Sequence, residues 1–553
     1  MKMKMKSHPR TKAVIALSCM MILACTPNEY KLEEPVHSAD RYESAAEDDA
    51  EMAIDMGDAD GDMQAPSAAA SPQEPPMRTQ PAWNTERYRA IEEASFKSAQ
   101  LSPLSTFAID VDTAGYSIVR SYLTRGQMPP AGAVRIEEML NYFDYNYPAP
   151  SGNDAFSINT TTAAAPWNQE RRLLRIGIKG KTISSDETPP INLVFLLDVS
   201  GSMNDANKLP LLKRSLVMLV KNLRSNDKVG IVVYAGASGV VLRPTSDRND
   251  ILSALDRLEA GGSTNGGEGI EAAYKLAEEH LSKENINRVI LATDGDFNVG
   301  KTSESDLVTM IEKKAESGIF LTVLGFGNGN YNDSTMEQLA DKGNGNYAYI
   351  DTIEEAQKVL VGQMSGTLVT IAKDVKIQVE FNPNVVESYR LIGYENRQLA
   401  AEDFNNDKKD AGEIGAGHTV TALYEVVLYG SKDSAKPSID KLRYQTPKAQ
   451  ANHTNELATV KVRYKEPTGS TSSLITNTVP NKTVDMESTD KDFRFAAAVA
   501  GFGMKLRGSK LAGDLNYQSI LDLSKHGLDN DEFGFRSEFI GLVRKAAAID
   551  AHH

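Results

Sequence analysis

Between about residues 190 and 360, short, wholly apolar runs alternate with segments whose apolar residues recur every three or four positions. The runs 194–197, 229–234, 289–292 and 320–324 predict strands. After Lys208, the spacing of Leu209, Leu212, Leu216, Leu219, Val220 and Leu223 predicts an amphipathic helix, and Ile270, Ala273, Tyr274, Ala277 and Leu281 predict a second. Strands apolar on both faces that alternate with helices predict an α/β, Rossmann-like unit, a mainly parallel sheet with helices on both sides.

The pattern differs on either side of this unit. Residues 107–148 read as a short strand, an amphipathic helix, a Pro-Pro turn and a second helix that sets Val134, Met139, Tyr142 and Phe143 near one side. Residues 156–162 and 172–178 alternate as antiparallel strands do, and so do "DVKIQVEFNP", "TVTALYEVVLYG" and "LATVKVRYKEP" beyond residue 372, which read as half-buried strands. A helical tail follows, clearest in "DFRFAAAVAGFGMKL" and "FGFRSEFIGLVRKAAAI". Strands just before and just after the central unit predict one β-sandwich into which that unit is inserted.

The N-terminal residues extend this picture. Residues 1–24 carry Lys2, Lys4, Lys6, Arg10 and Lys12 ahead of an apolar run, 13–24, too short to span a bilayer, which predicts an export signal. Residues 26–83 are acidic, rich in Ala, Pro, Ser and Met, and lack a sustained apolar period, as a disordered tether does. The expected division is therefore a signal over 1–24, a tether over 25–85, an N-terminal flanking domain over 86–185, the α/β domain over 186–370 and a C-terminal strand and helical domain over 371–553. At 553 residues and 41% hydrophobic content the chain has material for several cores. Its two cysteines, Cys19 and Cys25, lie in the signal and at the first residue of the tether, so the remainder can form neither a disulfide nor a thiolate metal site. The formal charge is -15 and becomes more negative once the basic leader is lost, which argues against nucleic-acid binding and against attachment to anionic lipid by charge.

The candidate chemistry lies where the strands end. "VFLLDVSGSM" runs an apolar strand into Asp198, Ser200 and Ser202; "GGSTNGGEGI" carries Thr264 before a helix; "RVILATDGD" places Asp294 directly after a strand. In an open parallel sheet, ligands gather outside the carboxyl ends of the strands. Three hydroxyls and two carboxylates from three loops suit a small hard cation such as Mg2+, which takes oxygen ligands and gives up water reluctantly. Helix capping by Ser and Asp accounts for one such loop, not three.

Asp198-x-Ser200-x-Ser202, Thr264 and Thr293-Asp294-Gly295 resemble the metal-ion-dependent adhesion site of von Willebrand factor type A domains. The resemblance implies that Ser200, Ser202 and Thr264 coordinate the metal directly, and that Asp198 and Asp294 hold it directly or through water. It also implies Mg2+ as the ion, with Mn2+ or Ca2+ as substitutes, and a protein partner that supplies a carboxylate to it. The segments "TFAIDVDTAGYS", "VRIEEMLNYFDYNYP" and "DFRFAAAVAGFGMKLRGSK" are similar to regions bracketing this domain in a family of bacterial lipoproteins. Ile22-Leu23-Ala24-Cys25 resembles the lipobox, which implies lipidation at Cys25; Thr26, rather than Asp, after it implies the outer membrane. The expected role is a lipid-anchored envelope binding protein, the alternative a scaffold whose metal only staples loops.

Catalysis is not expected. "FAIDVDTA" resembles the nucleophile loop of haloacid-dehalogenase-type phosphatases, but Ala114 stands where that pattern wants Thr or Val, so Asp110 and Asp112 read as makers of local turn or cap bonds. "DADGD" at 58–62 is followed by Met63 where a calcium loop needs Gly. No Gly-x-Ser-x-Gly elbow, Walker loop or His-Glu-x-x-His helix occurs. Asp296 reads as a loop cap, His280 as a surface residue, and the Gly-Asn-Gly-Asn tetrads at 327–330 and 343–346 as turns.

Overall fold

A computed structural model describes Glu86 and residues 88–552, except 153, 185, 236–237, 264–265, 296–303, 329–331, 434–452, 530 and 532. The export signal, Cys25, the tether, Thr264 and Asp296 lie outside the described residues. No described helix is long and apolar enough to cross a membrane.

The central sheet has six strands in the order Tyr347–Ile350, Ile319–Phe326, Ile286–Thr293, Ile191–Asp198, Lys228–Tyr234, Ser238–Thr245. All neighbours are parallel except the last pair. Every residue of Ile191–Asp198 is buried, which is why its sequence does not alternate. The chain winds outward from this strand in both directions, so its carboxyl end is the switch point where strand order reverses. Helices Leu209–Asn222 and Arg248–Asp256 cover one face. The other face is covered by Gly266–Glu279, Glu304–Glu316 and Asp333–Lys342, and also by Ala114–Thr124 from the N-terminal flank, whose Ala114, Ile118 and Tyr122 join the same core. The helix predicted to include Leu281 stops at Glu279; the Leu281 amide turns back onto the Glu278 carbonyl at 3.2 Å and its side chain is exposed.

The remaining strands form two antiparallel sheets, and each mixes residues from before and after the central unit. One runs Lys97–Ser98, Val386–Ile392, Thr419–Leu428, Asn168–Gly180, Phe156–Ala165; the other Gln398–Leu399, Leu104–Ala108, Thr370–Phe381, Glu456–Lys465, Ser472–Pro480. Leu174, Ile176, Val420 and Tyr424 of the first share a core with Phe107, Ile377, Val379 and Val460 of the second, making the sandwich that the alternating segments predict. Thr419–Leu428 departs from expectation because it is buried on both faces. Val420 and Tyr424 point into the sandwich, whereas Leu423 meets a helical layer with Phe495, Phe502 and Phe539.

That layer contains Ile136–Asn141, Lys491–Arg507, Tyr517–His526 and Phe535–Asp550. Lys491–Arg507 is buried nearly all round, as its Ala- and Phe-rich sequence requires; Asp490 caps it at 2.6 Å from the Phe493 amide and Gly508 ends it at φ 67°. Val134, Met139, Tyr142 and Phe143 do share one core, although the helix proper spans only Ile136–Asn141. The helix Tyr517–His526, capped by Asn516 through the Ser519 amide, was not singled out by periodicity.

Buried ion pairs join the central unit to the flanks. Arg120 pairs with Asp351 and, at 2.7 Å, with Glu355; Arg135 pairs with Asp333 and, at 2.6 Å, with Glu138. Arg397 meets Asp110, Asp112 and Glu337, each at 3.1 Å, and Asp341. Asp110 and Asp112 are thus more than local turn formers. The Asp112 amide does donate to Asp110 at 2.9 Å, but both carboxylates anchor Arg397 and Asp112 also accepts the Tyr347 amide at 2.8 Å, tying the flank to the sheet edge. The local bond is present as expected, and the role toward Arg397 went unread because that partner lies 285 or more residues away in sequence.

The second Gly-Asn-Gly-Asn tetrad makes a turn, as read, for a reason beyond turn preference. Asn344 takes φ 49°, and a Cβ on Gly345 would stand 1.7 Å from the Leu321 carbonyl oxygen.

Candidate metal centre

Asp198 ends the central strand and is fully buried. One carboxylate oxygen accepts the Ser200 amide at 2.9 Å; the other accepts the Tyr234 hydroxyl at 3.1 Å and the Thr293 hydroxyl at 3.3 Å. Tyr234 and Thr293 end the two strands that flank Asp198, so the sheet itself orients this carboxylate. Burial pushes the Asp198 carboxyl above the usual carboxylate range, bonds from Ser200 and Tyr234 oppose the rise, and the charge of Asp294 adds to it. Burial likewise raises the Tyr234 phenol, with the Asp198 charge acting in the same direction.

The Ser200 and Ser202 hydroxyl oxygens lie 3.0 Å apart; Ser200 is buried and Ser202 is open to solvent. The serines do not stand at the start of the long helix. Ser202 lies in a short 3-10 turn, Gly201–Asn204, with Ser200 at its cap position, and the long helix begins at Leu209, where Lys208 takes the cap position. The serine loop is pinned to the segment that leads to Thr264: the Gly201 amide donates to the Gly262 carbonyl at 3.0 Å and the Gly261 amide to the Val199 carbonyl at 2.7 Å.

Asp294 follows the strand Ile286–Thr293 and is fully buried. Its Oδ2 accepts the Lys208 ammonium at 2.9 Å. The turn beyond it requires glycine, since Gly295 sits at φ 92° with its amide 3.2 Å from the Thr293 hydroxyl. The structure therefore brings Asp198, Ser200, Ser202 and Asp294 to one end of the sheet. It adds Tyr234, Lys208 and a role for Thr293, which sequence reasoning missed. Tyr234 is signalled by its place at the end of a strand paired in register with Asp198, whereas nothing in the spacing around Lys208 points to Asp294.

The donors are all oxygens, two carboxylates and two hydroxyls, a set that suits a hard divalent ion and offers nothing to a soft one. Among the described residues no group of three His, Cys, Asp or Glu side chains is placed to hold a metal, so a site here depends on its hydroxyls. Beside the serine loop a cleft of about 1070 Å³ opens between the helices Leu209–Asn222 and Arg248–Asp256, lined by Asn204, Pro210, Val217, Leu252, Glu259 and Ala260 among others.

A doubly wound sheet with this loop set defines a von Willebrand factor type A domain, and the family model described as von Willebrand factor type A domain matches residues 192–363. A model described as von Willebrand factor matches residues 82–175, and one described as Uncharacterized protein YfbK, C-terminal, matches residues 366–549. The chain belongs to the YfbK family: it is 45% identical over 476 residues to the Uncharacterized protein YfbK of Escherichia coli (strain K12), covering 84% of this chain and 82% of that one. It is also similar to the Uncharacterized protein sll0103 of Synechocystis sp., 31% identical over 198 residues, which is 35% of this chain and 45% of the other. A third likeness is to the human inter-alpha-trypsin inhibitor heavy chain H3, 25% identical over 260 residues, or 43% of this chain and 28% of the other.

Proposed function

We propose that this protein is a non-catalytic binding protein of the bacterial envelope, anchored through lipidated Cys25, which grips a carboxylate of a protein partner through a divalent cation. Asp198, Ser200, Ser202, Thr264 and Asp294 hold the ion, which is Mg2+, with Mn2+ or Ca2+ as substitutes. One observation carries the reading: two buried carboxylates and two neighbouring hydroxyls converge at the carboxyl end of the central strands, and one of the hydroxyls, Ser202, faces solvent. A hard cation held partly by neutral hydroxyls keeps a replaceable water, so an incoming carboxylate has a place to bind. The adjoining cleft leaves room for the segment that carries it.

The scaffold alternative, a metal that only staples loops, is weaker on one point. Asp294 already has a cation in Lys208, and Asp198 is held by Ser200, Tyr234 and Thr293, so the loops have their bonds without a metal.

Calorimetric titration of Mg2+ and Mn2+ into residues 86–553 tests the proposal, comparing the unmodified protein with Asp294→Ala. Saturable binding that the variant loses while staying folded is expected. A folded, unmodified protein that binds neither ion would overturn the clasp.

A further inference from the structure

We infer that Lys208 is a specificity-determining residue of the site: a fixed internal cation that weakens divalent-metal binding and, once metal is bound, biases the loops toward an anionic ligand. The inference rests on the proposed metal site and names what selects its ligand.

The position of the lysine is imposed by packing. Its side chain is 6% exposed and its ammonium lies 2.9 Å from Asp294 Oδ2. The backbone at Lys208 is set by its cap position on Leu209–Asn222 and by its amide, which donates to the Asp205 carbonyl at 2.9 Å. The stem then crosses Gly327, which follows the strand Ile319–Phe326: a Cβ at 327 would stand 2.4 Å from Lys208 Cε and 2.6 Å from Cγ. Gly327 is held in turn by the Tyr349 hydroxyl, which donates to its carbonyl. Gly327, at φ 73°, thus admits the lysine stem, while residues 329 and 330 of the first Gly-Asn-Gly-Asn tetrad lie outside the described residues. A surface lysine would be screened and mobile, whereas this one is sealed between a helix start and a strand end.

The charge count gives the consequence. Asp198 and Asp294 contribute two negative charges, the hydroxyls none, and Lys208 one positive. A divalent ion added to that set leaves a net positive charge, whereas without the lysine the same loops and ion would be neutral. Charges a few Å apart in a partly buried site interact strongly. Lys208 therefore opposes the metal and favours an anion on the loaded site.

The test uses the full chain, with Mn2+ alone as the first probe and acetate, followed through its relaxation by bound Mn2+, as the second. Lys208→Met keeps the stem over Gly327 and removes the charge; Lys208→Arg keeps the charge. Lys208→Met should bind Mn2+ about tenfold or more tightly than the unmodified protein, and its loaded form should bind acetate about tenfold or more weakly, while Lys208→Arg stays near the unmodified values. If Lys208→Met does not fold, Lys208→Gln carries the same comparison. Equal or weaker Mn2+ binding by the folded neutral variant would overturn the inference and leave the metal site standing. Absence of Mn2+ binding in every form, the unmodified protein included, would overturn both.

Discussion

Replacing Arg397 with methionine should destabilise the protein severely, and most at alkaline pH. The guanidinium is 10% exposed and faces four carboxylates from two parts of the chain: Asp110 and Asp112 of the N-terminal flank, and Glu337 and Asp341 of the helix Asp333–Lys342. Removing one partner of a buried ion pair costs about 3–5 kcal/mol because the remaining charge is stranded; here Asp110 and Asp112 are stranded together, whereas Glu337 keeps Arg135 at 3.0 Å and Asp341 is 34% exposed. Burial already raises the carboxyls of Asp112 and Asp341, and it pushes Glu337 up to about 7 and neighbouring Glu138 up to about 8. Groups whose pKa is higher folded than unfolded contribute stability that is complete below about pH 4.5 and lost as pH rises through the folded value. Without Arg397, whose charge lowers Asp112, Glu337 and Asp341, those three values climb further, so protonation relieves the variant. Each unit by which a folded value exceeds its unfolded one returns about 1.4 kcal/mol in acid. Urea unfolding followed through Trp167, which is buried in the helical core, measures both quantities at pH 8 and pH 5.5. Arg288→Met is the control. Arg288 is more deeply buried, at 1% exposed, but among the described residues it bonds only hydroxyls and a carbonyl and its Nε has no hydrogen-bond partner, and burial lowers its pKa to about 10. That variant should lose under about 1 kcal/mol or gain stability. A cost below about 1 kcal/mol for Arg397→Met at pH 8, or the same cost at both pH values, would refute the reasoning.

His418 titrates in the opposite sense. Burial lowers it to about 4, so stability falls as pH drops from about 6.5 toward 4, by at most about 3 kcal/mol, and His418→Leu should lack that slope in pH-resolved unfolding. An unchanged slope would show the ring to be solvated. Gly345→Ala should cost more than about 2 kcal/mol in thermal or urea unfolding, since the Leu321 carbonyl would have to move out of the sheet; a near-neutral result would mean the turn can shift freely. The proposed acyl anchor predicts that Cys25→Ser shifts the protein from the membrane fraction to the soluble one in fractionated cells. Retention in the membrane fraction would exclude the acyl anchor.

The parallel sheet was readable because its strands are buried on both faces and its helices are amphipathic, so the local pattern reports the local environment. Asp198 and Asp294 were readable for a related reason: each follows an apolar run, and the end of a parallel strand is where a polar residue can meet a ligand. The short turn Gly201–Asn204 that carries Ser202 was not readable, because a 3-10 turn leaves little trace in periodicity. The same reasoning overlooked Tyr234, whose role is visible only once two strands are paired in register, and Lys208, whose partner lies 86 residues on. It also took Asp110 and Asp112 for turn formers, because a carboxylate before a helix looks the same whether it caps that helix or waits for a distant arginine. By itself, then, the sequence determined the apolar core strands, the clearest amphipathic helices and where the candidate ligands stand along them, since those follow from side-chain size, polarity and period. Only the tertiary structure decided which strand meets which, which carboxylates share Arg397, and that a lysine reaches Asp294. Those pairings depend on chain segments far apart in sequence being held within a few Å, a property that no local pattern carries.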